Sequence, residues 1–231
     1  MKINDTDVST YGFKYLRREI SPPQFEIYGR EWLKNAPSPV LGDRRVRYTP
    51  IKVTLLYEGT KQEYETMKSV LLDKIKESTI KFKDLDFYYD VSLDDAETEK
   101  YQNPRFREFT LVLDGYSKYK DEITELASRV SSKTINVPGT METPCIVEIT
   151  PSINLIDIVI TGLGEEFKVK NLTAGKKIII NGEDGTVLEN GMNKFKDYDG
   201  WEFPRLSPGS RTITFSQDST DITIRYKPRW L

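Results

Sequence analysis

The last third of the chain admits few folds. From Cys145 onward, short runs of alternating apolar and polar residues recur, and the dipeptides Asn181-Gly182, Asp184-Gly185, Asn190-Gly191 and Pro208-Gly209 punctuate them. Side chains on a strand point alternately to opposite faces, and Asn-Gly or Asp-Gly pairs supply the positive φ that tight hairpins need. Strands are expected over residues 145–149, 155–161, 166–170, 177–181, 211–216 and 221–226, which together make an antiparallel β-sandwich. Ile156, Ile158 and Ile160 should share one face, as should Ile222, Ile224 and Tyr226.

The first half mixes periods. Phe13 and Tyr15 alternate with polar neighbours, and residues 46–57 form a long apolar-rich strand in which Pro50 favours an edge or a bulge. The proline-bearing stretch between them, with Pro22, Pro23, Pro37, Pro39 and Gly42, suggests a loop. Tyr64, Met67, Val70, Leu71 and Ile75 fall on one helical face over residues 61–75, and Tyr119, Ile123, Leu126 and Val130 predict a second helix from 119 to about 131. Asp84 to Leu113 is expected to be a long β-hairpin. Prolines, glycine and short polar residues cluster over residues 136–144, which places a junction between an α+β domain, 1–136, and the sandwich, 137–231.

At 231 residues two small domains can each bury a core. Apolar content is 37%, below the ~45 to 50% of an average globular domain, so arms and long loops are expected. There are 36 acids against 34 bases, a net charge of −2, and no basic field that would bind nucleic acid. No run approaches the ~20 apolar residues of a membrane span, and the start of the chain has no apolar leader-like core, so a cytosol-like compartment and no membrane partner are expected. The single Cys145 cannot form an intrachain disulfide.

The chain has no histidine. Histidine-based nucleophile pairs, a histidine general base and histidine-ligated metals are therefore excluded. Cys145 opens an apolar strand and is expected to be a buried, inert thiol. No phosphate-cradling loop is present, and the acids at 94–99 lack the glycine turn and spacing of a calcium loop. No catalytic residue, cofactor or metal is expected.

Three stretches together resemble the distal tail proteins of long, non-contractile-tailed bacteriophages and related prophages. They are Asp7-Val-Ser-Thr-Tyr-Gly-Phe13; then Gly191-Met-Asn-Lys-Phe195 with Trp201-Glu-Phe-Pro-Arg-Leu-Ser-Pro-Gly-Ser210 and Ile213-Thr-Phe-Ser216; and Thr223-Ile-Arg-Tyr-Lys-Pro-Arg-Trp-Leu231. The resemblance implies a ring-forming N-terminal domain, usually six subunits to the ring, and a galectin-like sandwich at the periphery. It also implies a structural hub of the virion tail tip, assembled in the host cytoplasm. Such a hub joins the tail tube protein to the tail-tip protein and tape measure, carries the receptor-binding protein, and lets DNA pass through a central channel. The second domain leaves no room for the carbohydrate-binding modules that some relatives carry as insertions. Trp201, with Phe203 and Pro204, is expected to pack at a sandwich corner.

The hairpin supplies a candidate for contact between subunits. From Asp84 to Lys100 it holds seven acids and one base. Asp86 and Asp90 flank the aromatic run Phe87, Tyr88 and Tyr89, and Arg44, Arg45 and Arg47 bunch beside a strand. Opposite charge steers and registers a contact while the aromatics anchor it. The bland reading is a hairpin that closes the domain's own sheet. Two other functions compete: a lectin-like adhesin stacking sugars on Trp201, Trp230 or exposed tyrosines, and a histidine-free glycosidase using a carboxylate pair.

Overall fold

The computed structural model describes residues 1–27, 29–31, 37–38, 40–42, 44–99, 103 and 105–231. Two compact units divide the chain, Met1–Lys118 with Leu231, and Tyr119–Trp230. In the first unit the strands are β1 (Lys2–Ile3), β2 (Thr6–Asp7), β3 (Phe13–Ile20), β4 (Phe25–Ile27), β5 (Arg30–Glu31), β6 (Val40–Leu41), β7 (Arg44–Val46) and β8 (Thr49–Glu58). Helix α1 (Lys61–Ile75) follows, then β9 (Glu77–Lys81), β10 (Tyr88–Glu99) and β11 (Phe106–Tyr119). Seven of these strands make one sheet in the order β2-β1-β9-β10-β11-β8-β3.

Helix α1 starts where the sequence supplies a reciprocal cap. The Thr60 hydroxyl accepts from the Glu63 amide at 3.3 Å, and the Glu63 carboxylate accepts from the Thr60 amide at 2.9 Å. Tyr64, Leu71 and Ile75 are buried with Val53 and Leu55 of β8 and Phe109 and Leu111 of β11. Rings of Phe13, Tyr57, Tyr64 and Phe109 meet with centroids 5.3 to 6.4 Å apart. Each fully buried side chain of this size contributes about 1.5 to 3 kcal/mol. Met67 and Val70, expected on the core stripe, stay exposed. The stripe is narrow because one sheet face can cover only about a third of a helix's circumference.

The second unit contains β12 (Ile123–Ser128), β13 (Ser132–Val137), β14 (Thr143–Pro151), β15 (Leu155–Thr161), β16 (Phe167–Leu172), β17 (Ile178–Asn181) and β18 (Thr186–Glu189). After these come β19 (Met192–Asn193), β20 (Tyr198–Gly200), β21 (Arg205–Leu206), β22 (Gly209–Phe215) and β23 (Thr220–Tyr226). One sheet runs β12-β23-β14-β17-β18-β19, with β21 added beside β14, and the other runs β13-β22-β15-β16-β20. Val147, Ile149, Ile178, Ile180, Ile222 and Ile224 from the first meet Ile158, Ile160, Phe167, Val169 and Ile213 from the second in one core. Between β18 and β19, Asn190 (φ 47°) and Gly191 (φ 82°) both take left-handed backbone. That is the tight-turn geometry the Asn-Gly dipeptide favours.

Four sequence expectations give way. The stretch expected to be a helix from Tyr119 is instead the end of β11 and strand β12, which makes six ladder pairs with β23 from Ile123↔Tyr226 to Ser128↔Asp221. Over so short a run both periods fit, and long-range pairing decides. Because β12 and β13 sit in the sandwich sheets, the division falls at Lys118/Tyr119 and not at Asn136/Val137. The proline-rich stretch expected to be a loop pairs as a ribbon, Phe25↔Val46 to Ile27↔Arg44 and Arg30↔Leu41 to Glu31↔Val40. Its register continues that of Ile20↔Ile51 in the β3–β8 pair, so it prolongs that hairpin beyond the main sheet. Ile156 is 87% exposed, whereas Ile158 and Ile160 are buried. The β15–β16 ladder keeps one register from Leu155↔Leu172 to Ile160↔Phe167 but is interrupted opposite Ile156, where Asn171 takes left-handed backbone at φ 56°; at this break Leu155 packs on the core and Ile156 faces out.

Candidate assembly interface

The acidic hairpin is part of the main sheet. Tyr88 to Ser92 of β10 pair with Lys81 to Glu77 of β9, and β11 pairs with β8 from Phe106↔Glu58 to Gly115↔Thr49. Tyr89 alternates into the core, is 3% exposed, and lies edge-on to Phe82 at 6.0 Å. Burial raises its phenol's pKa. Tyr89 therefore cannot serve as a surface anchor. Tyr88 is half-buried, with Lys81 Nζ donating to its hydroxyl at 2.8 Å and lying 4.0 Å from its ring centre. Phe87 is half-buried under Lys118 Nζ at 4.6 Å. Asp90 accepts from the Thr79 hydroxyl at 2.7 Å, and Asp86 is exposed.

The basic residues lie elsewhere. Arg44 and Arg45 belong to β7 of the ribbon, where Arg45 stands opposite Glu26; the Arg44 side chain lies outside the described residues, as do residues 100–102 and 104 at the hairpin tip. Arg45 and Arg47 are exposed. Arg47 lies near Asp114 of β11, whose pKa is raised first by burial and next by Asp94, with Arg47 opposing. Asp86, Phe87 and Tyr88 thus lie at the entry to β10, and Arg45 and Arg47 at the end of β7 and just beyond it.

Outside this set, Arg18 grips Asp84 through two bonds of 2.7 Å and lies 4.5 Å from the Phe82 ring centre. That pair fixes the entry to β10, and it lowers the Asp84 pKa. Cys145 is fully buried on β14, and burial pushes its thiol well above the ordinary range. The expected packing of Trp201 is reversed. Its side chain is 90% exposed, while Phe203 packs on the core and Pro204 is buried. In sequence, an aromatic beside Pro and Gly looks like a corner filler. Here the turn after β20 carries Trp201 outward and leaves the filling to Phe203.

Residues 138–230 match the family model SPP1_Dit, described as siphovirus-type tail component, C-terminal domain. A search of the curated proteins finds no match. Among solved structures the chain is similar to the Dit protein of phage SPP1, described as a paradigm of the hub adsorption apparatus in Gram-positive infecting phages. That likeness has a TM-score of 0.79 at 15% identity, covering 99% of this chain and 98% of that one. Two structures of the phage P2 baseplate in its activated conformation, with calcium and with strontium, contain chains similar at TM-scores of 0.55 and 0.53. Their identities are 15% and 17%, covering 95% of this chain and 92% of each of those. The resemblance to siphophage distal tail proteins read from the sequence is thus matched by a family model over the sandwich and by fold over nearly the whole chain.

Proposed function

We propose that this chain is the distal tail protein of a phage or prophage, a structural hub of the tail tip. It assembles as a closed ring of six copies, joining the tail tube protein to the tail-tip protein and tape measure and carrying the receptor-binding protein. DNA passes through the ring without specific binding. The observation that carries this reading is the single fold likeness that spans both domains in order, 99% of the chain, with a hub protein. No step of it requires catalysis.

The ribbon favours self-association. A two-stranded ribbon outside a larger sheet is marginal in water on its own, so seating it on a neighbouring copy would stabilise both. Arg45 and Arg47 at its base, and Asp86 with Phe87 and Tyr88 on the β10 side, offer opposite charge to the adjoining subunit. Exposed ion pairs contribute only ~0 to 1 kcal/mol each, so the charges set register more than affinity. Light scattering coupled to size exclusion, with negative-stain images, tests the ring. Six-fold rings are expected, and an Arg45→Glu, Arg47→Glu double variant should weaken them most at low salt. A strict monomer at high micromolar concentration, alone and with its tail partners, refutes the reading.

A further inference from the structure

The outward Trp201 directly precedes Glu202, which lines a pocket that the hub reading does not use. The pocket, of about 450 Å³, is lined by Glu142, Pro144, Glu202, Phe203, Pro204 and Arg205 among others, all within the sandwich. We propose that this is a saccharide-binding site for one or two neutral sugar rings, with Trp201 as an external stacking platform and the Arg205–carboxylate array as the hydroxyl reader.

Three features select that ligand class. The first is the polar array. Arg205 donates through Nη2 to Glu202, and its Nε lies 3.7 Å from Glu142, which also accepts from the Ser207 hydroxyl at 2.6 Å. Two carboxylates around one guanidinium present planar donors and acceptors at the spacing that vicinal hydroxyls satisfy in pairs. The array keeps a net charge of −1, which disfavours an anionic ligand, and its remaining acceptors suit the hydroxyl donors of a neutral one.

The second feature is the apolar wall. Phe203 stacks parallel on Tyr198 at 5.4 Å, and Pro144 and Pro204 continue the surface. A sugar ring offers an apolar C–H face to such a wall and hydroxyls to the array. The volume lies in the range of small-ligand pockets, ~300 to 1,000 Å³.

The third is rigidity. The turn bearing Trp201 is held by Phe167↔Gly200 and Lys168↔Asp199 pairing, by the Tyr198 hydroxyl donating to the Glu202 carbonyl, and by Lys170 Nζ on Asp199 at 2.7 Å. An exposed Trp on a fixed backbone loses little entropy on binding. A protein-docking surface fits less well, because the core of such a surface is depleted in charge. Here Trp201 lies in sequence between Asp199 and Glu202, which are ion-paired with Lys170 and Arg205.

The test uses the full chain on an array of neutral glycans, with the best ligands followed by calorimetry. Binding is expected for the parent and at least a tenfold loss in Trp201→Ala and in Glu142→Gln. Both residues are surface-exposed, so melting temperature and ring size should stay at parental values. Ring size reports the hub reading separately, so an intact ring with no glycan bound overturns this proposal alone. It is also overturned if the variants bind as the parent does, if their loss of binding follows a loss of folding, or if Trp201→Ala instead releases a tail protein.

Discussion

Gly182 is where the sandwich tolerates least change. It follows β17 and lies against β14 and the segment leading into β21: its amide donates to the Cys145 carbonyl at 3.0 Å, and the Cys145 amide donates to the Pro204 carbonyl at 3.0 Å. A Cβ at this position would stand 2.3 Å from the Pro204 oxygen and 2.7 Å from the Cys145 oxygen. Both obstacles are main chain, so no rotamer change relieves them. Restoring ordinary contact needs a retreat of about 1 Å, which breaks both hydrogen bonds in a buried setting. Each unmade bond costs ~1 to 3 kcal/mol and overpacking adds ~1 to 3 kcal/mol, while the stiffer unfolded chain returns ~0.4 to 1 kcal/mol. Gly182→Ala should therefore destabilise the sandwich by ~2 to 9 kcal/mol, at least ~8 °C in melting temperature for a domain of this size. The control is Gly191→Ala, at φ 82° with nothing within 4 Å, where only left-handed strain of ~1 to 2 kcal/mol is expected. Calorimetry on the full chain, following the sandwich transition, compares the two. If Gly182→Ala costs no more than Gly191→Ala, the close approach is not what requires glycine.

Two further outcomes follow from the titratable groups. Asp7 caps the short turn Val8–Tyr11, accepting from the Ser9 amide at 3.0 Å and its hydroxyl at 2.8 Å, and the amide bond chiefly holds its pKa at about 2 against 3.8. A depressed carboxylate stabilises the fold fully above its unfolded value and loses that contribution as pH falls toward the folded one. The urea midpoint of the first domain should thus drop between about pH 4 and 2, and Asp7→Asn should flatten that slope; equal slopes in parent and variant would show that the cap is not made in solution. The Cys145 thiol, buried and raised in pKa, should react with a thiol reagent only at the rate of global unfolding, and rapid modification of native protein would show that β14 opens locally.

Much of this molecule was set by local sequence. Alternation and Asn-Gly turns placed the sandwich strands because a two-residue period and a positive φ are local properties. The Tyr64, Leu71 and Ile75 spacing placed α1 for the same reason. The missing histidines excluded whole classes of chemistry from composition alone. The candidate interface was only partly legible: the charges and aromatics near Asp86 stood out, but which of them reach the surface depends on strand parity, and parity put Tyr89 inside. Other features depended on residues far apart in the chain. Ile123 to Ser128 became a strand because β23 was there to pair with it. Pro22, Pro23, Pro37, Pro39 and Gly42 marked the ribbon as a loop, yet the register inherited from Ile20↔Ile51 carried the hairpin on past Pro22 and Pro23. Trp201 faces solvent because Phe203, two residues on, fills the corner against Tyr198. The sequence by itself determined which segments could be strand, helix or turn and which chemistries were absent. Only tertiary structure decided partners, faces and exposure, since each of these is a competition between distant residues for the same space.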